Sequence, residues 1–159
     1  MLSSFYIKLI HFIKKMPNGT IWQTRYICLP LTLIASTLAV SHSTLSIIET
    51  FFWFFLGVFI WTLLEYILHR WLLHHRAKSI LGKTILARLH THHHKDTKNQ
   101  GLVCLPIFLT LPIWVNIFIL FVLFGGHTHA SVLVTCGIAF MMVIYDICHF
   151  STHYMTASN

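Results

Sequence analysis

Thirteen of the 159 residues are histidine, and seven of these fall in three patterns that suit metal binding. His69 and His74 make H-x-x-x-x-H, His90, His93 and His94 make H-x-x-H-H, and His149 and His153 stand four apart. Neutral imidazole is a ready ligand for iron and zinc. On a helix, offsets of three and four hold His90, His93 and His94 within an arc of about 100° and point His149 and His153 the same way. The five-residue offset of His69 and His74 separates them by about 140°. That suits one ion poorly, but allows the pair to serve two neighbouring ions or to straddle a helix end. Two carboxylates accompany the patterns. Glu65 stands four before His69 and Asp146 three before His149, each inside an apolar stretch where an acid is costly. Each can accept the second ring N–H of a ligand histidine and so fix its tautomer. The plainer role is an interhelical hydrogen bond or an ion pair with Arg70. His75 and His92 read as solvated or spare donors, and His11, His42, His127 and His129 as surface or interface residues.

The elements that must position these groups are set by composition. The chain is 56% hydrophobic and 9% charged, against about 25% charged in an ordinary soluble domain. So few charges cannot clothe the surface in water, and lipid is the expected solvent. Four apolar blocks, at about 26–41, 47–68, 102–124 and 130–148, are read as transmembrane helices, since roughly 20 helical residues cross a bilayer core. The links HSTLS and GGHTHA pair them into two hairpins. The predicted fold class is therefore all-α, an integral membrane domain over 20–159 preceded by an interfacial amphipathic helix in 1–19. In that helix Ser3, Ser4, Lys8, His11, Lys14 and Lys15 gather on one face, and Leu2, Phe5, Leu9, Phe12, Ile13 and Met16 on the other. Pro17-Asn18-Gly19 ends it. All eleven Lys and Arg residues precede block one or lie between blocks two and three. That distribution places both termini and the 69–101 loop on the cytosolic side. Basic residues that flank apolar blocks in this way argue against nucleic-acid binding. With blocks two and four both ending on the cytosolic side, all seven patterned histidines can converge there. The four cysteines are far apart and lack C-x-x-C, so they read as reduced packing residues.

The segments EYILHRWLLHH (65–75), LHTHHHK (89–95) and YDICHFSTHY (145–154) resemble the fatty acid hydroxylase/sterol desaturase superfamily, its fatty acid 2-hydroxylase branch above all. The resemblance covers roughly 65–154. It implies a membrane-bound di-iron oxygenase that hydroxylates a lipid (a fatty acyl chain, ceramide or sterol). Such an enzyme uses dioxygen and electrons from a redox partner such as a cytochrome b5-type protein or a reductase, and zinc is a possible occupant of its sites. It implies that His69 and His74 match the first histidine box, His90, His93 and His94 the second, and His149 and His153 the third, with Glu65 and Asp146 at the flanking acidic positions. The implied location is the endoplasmic reticulum membrane in a eukaryote or the inner membrane in a bacterium. Members of the family usually carry a further H-x-x-H-H box. Here the sequence ends at Asn159, and Tyr154 stands where a second histidine often stands. The resemblance thus implies a C-terminally truncated member, and the alternative reading is a catalytically impaired relative or a membrane metal-binding protein. A transporter would carry its ionisable residues near mid-membrane, and a bis-histidine haem protein would pair histidines inside the bundle. The sequence does neither.

Overall fold

The computed structural model describes residues 4–15, 20–86, 90, 95–96, 99, 104, 107–125 and 128–155. Among these residues, regular structure is helical and there is no strand. The helices are α1 (Ser4–Lys15), α2 (Ile21–Ser41), α3 (Ile47–Leu73), α4 (Ile80–Leu86), α5 (Ile107–Gly125) and α6 (Thr128–Met155).

Local chemistry fixes where the long helices begin. Thr20 caps α2, its side-chain oxygen accepting from the Gln23 N–H at 3.4 Å. Ser46 and Glu49 form a reciprocal capping box at the start of α3: the Glu49 N–H donates to Ser46 Oγ at 3.3 Å and the Ser46 N–H to Glu49 Oε2 at 2.8 Å. α2 contains a π turn over Thr24–Cys28. Pro30, just beyond it, lacks an N–H and would crowd the carbonyl four residues back. A wider turn at that point lets the helix continue through the proline.

α2, α3 and His129–Thr152 of α6 are long and apolar enough to cross a membrane. Block one, the shortest run in the sequence, gains its length because α2 starts five residues upstream of Tyr26 and takes Arg25 into the helix. The Arg25 side chain is exposed, as expected of a long cation that can reach the headgroup layer. Block three forms α5, of 19 residues with Pro112 inside. Its described apolar stretch, Thr110–Leu123, falls short of a full span, and the residues before Ile107 are mostly outside the described set.

α6 is the hub. More than half of its apolar stretch is buried, against less than a quarter of those of α2 and α3. It packs against α2, α3 and α5. Leu133, Val134, Ile138, Met142 and Val143 form its buried face, with Trp61 and Trp114 brought in from α3 and α5. The Trp114 indole N–H donates to Met142 Sδ at 3.4 Å. α3 and α6 touch backbone to backbone. A Cβ on Gly57 would lie 2.1 Å from the Val134 carbonyl oxygen, and one on Gly137 2.0 Å from that of Phe54. In lipid, where apolar area does not drive helices together, such small-residue contact lets dispersion act at close range. The opposite face of α3 exposes Ile48, Phe52, Phe55, Phe59 and Leu63 at helical spacing, the surface that an acyl-chain solvent would cover.

α1 lies against α4, and the Leu81 N–H donates to the Tyr6 hydroxyl at 2.9 Å. The inward residues of α1 are Tyr6, Leu9 and Ile10, whereas Phe5, Ile7 and Phe12 are exposed beside Lys8, His11 and Lys14. The expected apolar face is thus partly rotated outward, because Tyr6 takes the packing position on α4. The expected stop at 17–19 lies outside the described residues.

Candidate metal centre

The end of α3 is a π-helical segment, Leu68–Leu73, with His74 capping it. In a π-helix the i+5 N–H bonds the i carbonyl, so residues five apart come onto one face, much as residues four apart do in an α-helix. This removes the 140° separation that plain α geometry gives His69 and His74. Their rings meet with centroids 5.0 Å apart, and their Nε2 atoms are 3.3 Å apart. His90 arrives from the segment beyond α4, and its Nε2 is 3.3 Å from that of His74. The three donor nitrogens lie within 4.8 Å of one another.

This geometry fits a bound metal ion. Two imidazole nitrogens held at about 2.0–2.1 Å from one ion in a tetrahedral arrangement lie about 3.3 Å apart. The protonation pattern points the same way. A neutral imidazole nitrogen has one in-plane site, either a lone pair or an N–H. His74 Nε2 faces two other nitrogens at 3.3 Å, and one hydrogen cannot serve both. A cation shared by three lone pairs resolves the conflict, and an all-imidazole set suits iron or zinc. The trio runs from buried to exposed: His90 is buried, His69 half-buried and His74 exposed.

Glu65 stands one turn before His69, with Oε1 3.7 Å from His69 Nδ1. That is ion-pair range, on the ring nitrogen turned away from the trio. Asp146 is placed differently. It is buried on α6 and accepts from the Thr24 hydroxyl at 2.9 Å. The close approach of the α2 π turn to α6 supplies that donor, and among the described residues no bond joins Asp146 to His149. Neither acid pairs with Arg70, which donates instead to the Tyr66 hydroxyl. His149 stacks on Tyr145, with centroids 5.4 Å apart. Tyr145 in turn walls the same cleft as His69 and His74. His153 lies one turn further along α6, but its side chain is outside the described set, as are His93 and His94 altogether. The structure therefore brings His69, His74 and His90 together, and sets His149 on the helix that faces them.

Beside the trio opens a cleft of about 590 Å³ whose walls include Glu65, Tyr66, His69, Arg70, His74 and Tyr145. Its size is that of a small-molecule site. The sequence marks Tyr66 and Tyr145 only as aromatic residues near block ends. Their place in the cleft follows from offsets to the patterned histidines, since Tyr66 is three before His69 and Tyr145 four before His149.

The helical chain thus carries membrane-length apolar helices and, at one helix end, a histidine trio beside an open cleft, the features of a candidate membrane metal site. The fatty acid hydroxylase family model matches residues 54–159, and the chain belongs to that family. It is 34% identical over 139 residues to dihydroceramide fatty acyl 2-hydroxylase FAH2 of Arabidopsis thaliana, covering 85% of this chain and 54% of the relative. It is 28% identical over 151 residues to ceramide very long chain fatty acid hydroxylase SCS7 of Saccharomyces cerevisiae, covering 91% of this chain and 38% of that protein. A solved structure described as full-length scs7p, with only the hydroxylase domain visible, superposes with a TM-score of 0.77 at 26% identity, covering 87% of this chain and 52% of the other. The chain thus spans about half or less of the length of these relatives.

Proposed function

We propose that the chain is the membrane-embedded part of an oxygenase that hydroxylates a fatty acyl chain, at the carbon next to the carbonyl, at the cytosolic face of the membrane. The observation that carries this reading is the convergence of three imidazole Nε2 atoms beside a cleft on a helix whose outer face is apolar. The names of the relatives, hydroxylases of ceramide and of fatty acyl chains, support the substrate class.

His69, His74 and His90 would hold one iron. A second would draw on His93, His94, His149 and His153. Bound iron would supply the activation of dioxygen that an unactivated C–H bond demands. In the overall reaction one oxygen atom would enter the C–H bond and the other would leave as water, with two electrons drawn from an external donor of the cytochrome b5 or reductase type and two protons from solvent. The chain's own residues do the rest. Glu65, with Oε1 3.7 Å from His69 Nδ1, favours a proton on that nitrogen by its charge and so would keep the Nε2 lone pair free for the ion. Tyr145 stacks on His149 and limits its rotation. The apolar helices deliver the acyl chain from the bilayer and keep bulk water from it. Four spans in two hairpins, the basic 70–98 loop on the cytosolic side and α1 at the interface complete the proposed arrangement. That loop offers a docking surface for an acidic electron donor.

The test is to purify the full chain in detergent, count bound iron and zinc, and assay 2-hydroxy acyl products by mass spectrometry. Bound metal with product is the expected result. A chain that retains no metal under iron supplementation sinks the reading.

A further inference from the structure

The geometry points to Tyr66, backed by Arg70, as the clamp for the substrate's acyl carbonyl oxygen, the contact that selects which carbon meets the metal site. This rests on the hydroxylase reading above. In hydroxylation next to the carbonyl, the carbonyl oxygen lies only about 2.4 Å from the reacting carbon. The donor that holds this oxygen must therefore stand in the same cleft as the metal histidines.

The cleft wall offers few free donors. The Thr62 hydroxyl, also in the wall, is committed to the Val58 carbonyl at 2.9 Å. Tyr145 lines the cleft from α6, where its ring is stacked on His149. Glu65 is an acceptor, and the His69 and His74 Nε2 atoms face the trio. Tyr66 and Arg70 stand together on the α3 wall of the cleft. Arg70 donates to the Tyr66 oxygen, so the phenol's own proton is left to give, and among the described residues none accepts it. The guanidinium also lies 5.7 Å from the Tyr66 ring centroid, which holds the pair together. A phenol that already accepts from a cation is a stronger donor, because hydrogen bonds in a chain polarise one another. Tyr66 stands one helical turn before His69 on the same face of α3. A carbonyl bound there is held at a fixed distance from the metal side of the cleft.

The shared ligand chemistry is an acyl carbonyl oxygen, which an N-acyl amide and a free fatty acid both carry. The full chain in detergent micelles is titrated with N-hexadecanoyl-dihydrosphingosine and with hexadecanoic acid, each carrying carbon-13 at the carbonyl. Hydrogen bonding moves that resonance downfield. The wild-type chain is expected to shift at least one probe, and the probe that responds names the source. Tyr66→Phe is expected to abolish the shift and weaken binding about tenfold, the worth of one charge-assisted hydrogen bond. Arg70→Gln is expected to reduce the shift. Both side chains are exposed, so both variants are expected to keep the wild-type metal content. An undiminished shift in Tyr66→Phe overturns the clamp and leaves the hydroxylase reading standing. Failure of both probes to bind the wild-type chain overturns both.

Discussion

His69 has its two ring nitrogens in different company, and this division determines what each neighbour can be asked to do. Nε2 belongs to the trio and Nδ1 faces Glu65 at 3.7 Å. Replacing His69, His74 or His90 with alanine removes a ligand outright, whereas Glu65→Gln leaves all ligands and removes the charge that orients one. Loss of an outer partner of a metal-bound histidine typically costs about 10–100-fold in affinity. Competition with a chelator of known strength should find Glu65→Gln in that range and the alanine variants below it. Wild-type affinity in Glu65→Gln would remove Glu65 from the site. Asp146 calls for a different experiment, because its partner is Thr24 on α2. Thr24→Val leaves a buried carboxyl group without its donor, at a cost of about 1–3 kcal/mol, while Thr24→Ser restores it. Thermal unfolding in detergent should separate the two variants by several degrees. The histidine patterns and Glu65 are local features that spacing alone makes legible. The Thr24–Asp146 bond joins residues 122 apart, and nothing in the spacing around either residue announces it.

At the scale of elements, the π segment Leu68–Leu73 is what turns an awkward offset into a pair of facing imidazoles. Sequence periodicity assumes 100° per residue, so it puts His69 and His74 on different faces, and no residue type within LHRWLL signals the wider turn. This part of the site was therefore illegible in the sequence for a geometric reason. The same geometry makes an indel test informative. Deleting the exposed Leu72 leaves an offset of four, which a plain α-helix presents on one face within about 40°. Inserting one alanine after Leu72 gives an offset of six, about 120° away from alignment in an α-helix. Metal content measured by plasma mass spectrometry should survive the deletion and fall sharply with the insertion. Equal retention in both would show that the π turn is incidental to the site. The Gly57–Gly137 contact acts at this scale too. It brings α3, which carries His69, close against α6, which carries His149, so that the helix ends carrying the patterned histidines share one surface.

The whole molecule is arranged by its charges. All eleven Lys and Arg residues lie before Tyr26 or between 70 and 98, and the links at 42–46 and 125–130 contain none. Crossing helices with that bias orient with the basic segments toward the cytosol. In the proposed topology the histidine trio sits on the cytosolic face, where a soluble electron donor would reach it, and His42 lies on the far side. Both ends of α3 are described, so its orientation can be read directly. Thr44, in the link before α3, and Ser79, just before α4, are both exposed. In a background where the exposed Cys148 is replaced by serine, the remaining cysteines, 28, 104 and 136, are buried and should resist a charged thiol reagent. Thr44→Cys should then react in intact cells or sealed vesicles from the outer or lumenal side. Ser79→Cys should react only after the membrane is opened. Labelling of Ser79→Cys from outside would invert the topology, remove the trio from the cytosolic electron supply, and overturn the placement of the redox partner along with it.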